Sequence, residues 1–457
     1  VCKEQGRSLL EYDLSHAPLE LSEFKHTMEQ LLLEAKLQHA IPAFDQVEKI
    51  IVMPEAGVRP DYRLTWLLER LIAWRDTAFL LSSESVKLPG FHTYIPIDIP
   101  LPDIDQSCRL WQAMMKPWRA LSTDDGFRLA GKFRFTPGQI AAAVDAAKRA
   151  ERWHAVRNGD NGASVSDSAL LHQAAYGIIS HGLQHKAVKV ESKFSWDDLI
   201  LPNETIGLLR QACNRIKDRH KVMHSWGFDR ILPYGRGISM MFTGPPGTGK
   251  TMSALVMAKE MEAELYRVDL SRIVSKYIGE TEKNLSDIFD HARQSGAILF
   301  FDEADALFGK RSEVKDAHDK YANMETSYLL QKMEEYDGLT ILATNFAQNL
   351  DDAFTRRIQF IIKYPFPDAA QREQLWRSSI PAEVPAGDID YSFMSQTFEL
   401  SGGPIKNIII TAAYMAANDG TPLNMKHMVE AAIQEYKKTG KVLLKDRLGP
   451  YSEYWRG

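Results

Sequence analysis

Gly244–Thr251 reads GPPGTGKT, between the apolar run Ile238–Phe242 (ISMMF) and the helical pattern Met252–Met261 (MSALVMAKEM). Strand, glycine-rich turn and helix in that order predict a parallel α/β unit whose loop wraps an anion. Gly244, Pro245, Pro246, Gly247, Thr248, Gly249, Lys250, Thr251 and Met252 form the cradle. Gly247 and Gly249 let main-chain N–H groups turn inward, and the helix that starts near Lys250 adds its positive end. The lysine is expected at the outer phosphates of a nucleotide, and the Thr251 hydroxyl at a Mg²⁺ ion.

Outward from the loop, Glu264–Val268, Ala297–Phe301, Thr340–Ala343 and Phe360–Tyr364 read as further buried strands. The third of the five ends in Asp302-Glu303, at the sheet edge where ligands collect in such folds. Mg²⁺ keeps most of its water and favours one or two carboxylates, so Asp302 is the candidate ligand. Glu303 is then the candidate base for a water. Asn345 closes the next strand (ILATN) and could orient that water, and Arg356-Arg357 follow in DDAFTRRIQF. Between strands, Lys276-Tyr277-Ile278-Gly279 combines an aromatic that offers apolar area without demanding a particular partner side chain with a glycine that permits a tight turn. Lys310–Tyr321 is charged, and reads equally as a loop or a solvated helical face.

Composition narrows the class. The 457 residues carry 55 basic and 60 acidic side chains, a balance that argues against a dedicated nucleic-acid binder and leaves a DNA-associated loader as the least favoured reading. Three scattered cysteines without a CxxC pair fit a reducing cytosol and exclude a zinc ribbon. His220 and His224 lie four apart in HKVMH, which lacks the glutamate of a zinc-protease helix. Basic residues of Lys426–Arg456 alternate with acids, and no apolar run reaches membrane length. The reading is cytoplasmic, with no membrane partner. Position 1 is Val, so upstream residues are expected.

The chain also repeats itself. Ile97–Ala113 aligns without gaps to Ile362–Ser378, an offset of 265, with seven of 17 positions identical. Phe133, Gly138 and Ile140 match Phe398, Gly403 and Ile405 at the same offset. At an offset of 257, Ala40-Ile41 and Phe44-Asp45 match Ala297-Ile298 and Phe301-Asp302, and Ala174-Ala175 match Ala431-Ala432. Two related modules follow, dividing into segments 1–102, 103–190, 191–367 and 368–457. In the first copy Gln46 stands where Glu303 stands in the second, and no arginine pair occurs between Ser82 and Tyr94. An amide accepts no proton at neutral pH, so the first copy reads as degenerate.

The series Lys250, Asp302-Glu303, Asn345 and Arg356-Arg357 resembles the AAA+ ATPases of the protein-remodelling clade, over about Phe194 to Lys438. The resemblance implies tandem AAA+ modules: P-loop parallel sheets flanked by helices, each with a helical lid. It also implies bound ATP and Mg, a homo-hexameric ring, and a protein substrate. On that basis Lys250, Glu303, Asn345, Arg356 and Arg357 are catalytic, with Asn345 as sensor 1 and either arginine as the finger. Thr251 and Asp302 hold the metal, and Lys276, Tyr277, Ile278 and Gly279 grip polypeptide in the pore. Gly403-Pro404-Ile405-Lys406 falls where other branches carry a sensor-2 arginine, and none is present. The run ALFGKRSEVKDAHDKYANMETSYLLQKMEEYDG further resembles ATPases of bacterial contractile injection systems, which would make a particle component the substrate. An ATP-ordered assembly scaffold with slow hydrolysis is the alternative.

Overall fold

The computed structural model describes residues 2–50, 62–83, 88, 94–158, 167–179, 187–191, 193–219, 221–228, 231, 237–273, 280–304, 317–345, 356–438 and 444–455. The chain divides into two bodies, Val1–Pro100 and Leu101–Gly457.

The first body is a parallel sheet of β1 (Leu9–Asp13), β2 (Ile41–Asp45) and β3 (Phe79–Leu80), in that spatial order. Helices Leu21–Leu37 and Tyr62–Trp74 belong to it, and Phe24, Met28, Phe44 and Leu67 are fully buried in its core. The second body holds a six-stranded sheet: β4 (Val188–Val190), β5 (Ile238–Thr243), β6 (Leu265–Asp269), β7 (Ile298–Asp302), β8 (Leu339–Thr344) and β9 (Phe360–Lys363). Their order is β4-β6-β7-β8-β5-β9, parallel except for β4. All six residues of β5 and of β8 are buried, as strands covered on both faces must be. Alternation assigns the faces. Met241, Val268, Leu299, Phe301 and Leu342 pack under helices Glu280–Ser295 and Ala317–Glu335. Met240, Phe242, Ile298, Phe300 and Ile341 pack under Asn203–Lys217 and Lys250–Glu260.

Two helical quartets complete the second body. The first comprises Ile104–Met115, Thr123–Lys132, Pro137–Asn158 and Asp167–Ile179; the second comprises Ala369–Ser378, Tyr391–Thr397, Gly402–Asp419 and Met425–Lys438. Each opens with the same capping box, Asp103 with Gln106 and Asp368 with Gln371. Each buries one tryptophan completely, Trp111 and Trp376, and each packs a phenylalanine edge-on to a tyrosine of its last helix. Those pairs are Phe133–Tyr176 at 5.1 Å and Phe398–Tyr436 at 5.4 Å.

The sheets repeat local geometry as well. Ile41 N donates to Ser8 O and Ile298 N to Glu264 O, both at 2.8 Å. Two residues before each strand the backbone is left-handed, His39 at φ 51° and Gly296 at φ 57°, and so is the residue directly after it, Gln46 at 56° and Glu303 at 51°. Counted from the β2/β3 and β7/β8 registers, Arg75 corresponds to Asp337.

Two placements depart from the order of segments along the chain. Val188–Val190, expected to end the first lid, adds an antiparallel edge strand to the second sheet through β6. The first quartet also clusters with the second sheet rather than with Val1–Pro100. Arg134 donates from its main chain to Gln294 O at 3.3 Å, and its guanidinium pairs with Asp337. His172 meets Glu262 at 3.5 Å, Lys132 Nζ donates to Glu262 O, and the Tyr176 hydroxyl lies 3.3 Å from Glu264 N. A Cβ at Gly296 would stand 2.7 Å from Lys132 O, so only glycine permits this approach. Burial at the junction pushes the Lys132 amine down to about 8 and the Tyr176 phenol up, because a low-dielectric setting disfavours the charged form of each.

Helix Asn203–Lys217 starts where the sequence signals it, but Pro202 is the residue at its N-cap and no side chain caps it.

Candidate functional site

Strands β7, β8 and β5 are neighbours and parallel, so their carboxyl ends emerge side by side. That order brings together Asp302-Glu303 after β7, Asn345 after β8, and the glycine loop after β5. The ends of neighbouring parallel strands are where this class of sheet gathers ligand-binding groups.

The loop is shaped by its glycines. Gly244, Gly247 and Gly249 have φ of 152°, 75° and 103°. At Gly244 a Cβ would lie 2.2 Å from the carbonyl oxygen of Tyr364, so no other residue fits there. Thr248 Oγ1 donates to Pro245 O at 2.8 Å and tightens the turn. Gly249 serves as N-cap of Lys250–Glu260 without a side chain of its own, which leaves that helix's first N–H groups facing the loop.

Lys250 is 9% exposed. Its Nζ donates to Gly244 O at 2.6 Å, to Pro245 O at 2.9 Å and to Asn345 Oδ1 at 2.9 Å. These three acceptors are neutral, and the last ties the loop to the end of β8. Asp302 Oδ1 accepts from Glu303 N at 3.1 Å, which holds Glu303 in its left-handed turn with an exposed side chain. Asp269, at the end of β6, stands in register with Asp302. Thr251 and Met252 are half-buried at the start of the helix.

Arg356 and Arg357 are exposed or nearly so at the approach to β9. Arg357 lies 3.4 Å from Glu334, and its carbonyl accepts from Ser239 Oγ at 3.0 Å, so the arginine segment is anchored to β5. Lys276-Tyr277-Ile278-Gly279 lies outside the described residues, as do Lys310 and His220. Lys406 places its amine 5.3 Å over the Phe194 ring, a cation–π contact. Among the described residues no group of three His, Cys, Asp or Glu side chains could hold a metal by itself.

Sequence reasoning missed the clasp on the loop. Ser401 Oγ donates to Pro246 O at 3.0 Å, and Gly403 N to Gly247 O at 3.2 Å. The second quartet is thereby hydrogen-bonded to the cradle. The available signal was Gly402-Gly403 at the head of a helical pattern, glycines that make room for Gly247.

Residues 240–366 match the family described as "ATPase family associated with various cellular activities (AAA)". This stretch is an AAA ATPase domain. A proteasome-activating nucleotidase from Saccharolobus islandicus is 32% identical over 223 residues, 47% of this chain and 57% of the relative. The Saccharolobus solfataricus counterpart is 33% identical over the same shares. A katanin p60 ATPase-containing subunit from Danio rerio (the A-like 1 form) is 29% identical over 277 residues, 57% of this chain and 54% of the relative. The match therefore spans little more than half of these relatives. The AAA domain takes in most of the sheet from β5 to β9, and with it the loop, the acidic pair, Asn345 and the arginine pair. No helix among the described residues is long and apolar enough to cross a membrane.

Proposed function

We propose that the chain hydrolyses ATP in its AAA domain and uses the cycle to remodel, disassemble or load protein complexes. The carrying observation is the Lys250–Asn345 hydrogen bond, which joins the cradle to a strand end beside Asp302-Glu303. The residues fit a Mg-nucleotide: a nearly buried ammonium on neutral oxygens, a helix start without a side-chain cap, and a carboxylate at the adjacent edge. Thr251 and Asp302 would hold Mg²⁺, which when bound supplies charge neutralisation at the β- and γ-phosphates.

In this reading Lys250 exchanges its carbonyl partners for phosphate oxygens. Asn345, released from the lysine, orients a water, and Glu303 takes its proton as oxygen attacks the γ-phosphorus, giving ADP and phosphate. Arg356 or Arg357 of a neighbouring copy steadies the charge that develops, in a ring expected to hold six chains. Ser401 and Gly403 feel the change at Pro246 and Gly247 and pass it to the second quartet. Tyr277 is proposed as the residue that moves substrate. The relatives' names, one tied to the proteasome and one to katanin, support a protein substrate. A component of a contractile injection particle is the finer proposal, carried by the resemblance of the run after Asp302. The first body is proposed as a degenerate module without hydrolysis, because Gln46 occupies the base position.

The test is Glu303→Gln with binding and turnover measured separately. Retained ATP binding with turnover lowered by roughly 10²–10⁴ supports the reading. Turnover at the wild-type rate would end it.

A further inference from the structure

The first quartet shows how a quartet of this chain holds a core. Its contacts are residues at and after the end of its second helix (Lys132 and Arg134) and two residues of its last helix (His172 and Tyr176), set against Glu262, Gln294, Gly296 and Asp337. At the repeat offsets, the second quartet presents Thr397 and Glu399 at the same two positions, and Val429 and Ile433 on its last helix. That face is covered within the same body. Met425–Lys438 packs against Lys445–Tyr454, and Val429, Ile433 and Leu448 are buried in one cluster. The Tyr451 ring lies 4.6 Å from that of Phe393, tilted by 60°, and Lys437 stands 6.0 Å over Trp455.

The charges indicate what could take the segment's place. Glu399 is exposed where the first quartet has Arg134. Arg75, on the first body, is exposed where the second sheet has Asp337. The ion pair of the internal junction is thus present with its signs exchanged. Where the internal junction sets Lys132 and His172 on Glu262, the corresponding residues are Thr397, Val429 and, counted from the β1/β2 and β6/β7 registers, Gly6, all neutral. One corner differs: His39 carries a Cβ where Gly296 has none, so the surfaces must meet there at slightly greater separation.

We propose that Lys445–Tyr454 stands in for a core, closing on the second quartet a face that otherwise takes the first body of a second copy. Displacing the segment opens a head-to-tail contact in which Glu399 of one copy pairs with Arg75 of the next. Such a contact is heterologous and propagates from copy to copy. The segment ends the series, as polar caps end repeat arrays. This inference goes beyond the motor reading and needs no hydrolysis.

The test uses the full chain carrying Leu448→Asp, which places a charge in the buried seat of the segment. In sedimentation velocity the variant is expected to self-associate at least roughly tenfold more tightly than wild type. A peptide of sequence Leu444–Trp455, added in trans, should reverse the gain. Arg75→Glu in that background should abolish it, and Arg75→Glu with Glu399→Arg should restore it. His39→Gly should tighten it further. No gain, or a gain that ignores the peptide and the sign of residue 75, overturns the proposal. Should Leu448→Asp unfold the quartet, the milder Tyr451→Ala decides by the same readouts. ATP turnover on the same samples keeps the two readings apart: unchanged mass with intact turnover sinks the cap and leaves the motor.

Discussion

Gln46 and Glu303 sit in the same backbone setting and differ in one functional group. Both follow an Asp that ends a parallel strand, both are left-handed at φ 56° and 51°, and both donate their N–H to that Asp, at 2.8 and 3.1 Å. In the first body Gln46 Nε2 turns back to Asp13 at 3.0 Å and commits its amide to structure. In the second, the carboxylate of Glu303 is exposed at the edge beside the cradle. A non-glycine residue in that region costs on the order of 1 kcal/mol, and both copies retain it. The fold therefore preserves a turn in which only one copy carries a carboxylate, so backbone geometry alone does not identify the copy proposed to be active.

The largest expected effect tests that comparison directly. Glu303→Gln should leave ATP binding in place and lower turnover by roughly 10²–10⁴, while Gln46→Glu should leave turnover within about twofold of wild type. A rise in turnover for Gln46→Glu would show that the first body needs only a base.

Next come the matched tryptophans. Trp111 and Trp376 are both fully buried indoles. Trp111→Ala and Trp376→Ala should each cost about 3–5 kcal/mol in denaturant unfolding. Hydrogen exchange should place each loss in its own quartet. Because the second quartet holds Pro246 and Gly247, only Trp376→Ala should also weaken ATP binding. Equal binding by the two variants would break the coupling.

The left-handed pair before β2 and β7 separates conformation from packing. Gly296→Ala brings a Cβ to 2.7 Å from Lys132 O. That substitution should lower stability by about 1–3 kcal/mol. His39 has nearly the same φ but already carries a Cβ. His39→Ala should therefore change stability by no more than about 0.5 kcal/mol. Comparable losses at the two sites would mean that φ, rather than the docked quartet, sets the requirement.

The smallest effect is a pH dependence of the junction. Lys132 is held down to about 8 by burial, below its unfolded value, so the unfolded chain binds more protons above that pH. Stability should therefore rise as pH increases from about 8 to about 9.5, by at most about 1 kcal/mol per unit, and be flat in this respect below about 8. The Tyr176 phenol is raised by burial and acts oppositely, but only as the unfolded tyrosine begins to ionise near pH ~10. Lys132→Met should abolish the rise in thermal scans. A rise that persists in that variant assigns it to another group.

Much of the site was legible because its signals are local. A glycine loop, a strand ending in two carboxylates and a strand ending in asparagine each follow from a few adjacent residues, and parallel strand order does the rest. The strands β5 to β9 lie within one or two residues of their apolar runs, since residues covered on both faces must be apolar throughout. Val188–Val190 was not legible as a strand: KVESKFS reads as a polar linker, and only pairing with β6 makes its first residues a strand. The clasp by Ser401 and Gly403 was only partly legible: Gly402-Gly403 signals room for a close approach, but neither a hydroxyl nor a main-chain N–H names its distant partner.

What the sequence determined by itself is which groups can do chemistry, and that of two similar strand ends one carries Glu303 and the other Gln46, because side-chain identity fixes charge, proton acceptance and strand character. Which bodies those groups belong to was decided only by tertiary structure. The first quartet follows the first sheet along the chain, yet it packs on the second through Arg134–Asp337 and the space left at Gly296. Contacts of that kind depend on two distant surfaces matching in shape and charge, and neither surface exists until both halves have folded.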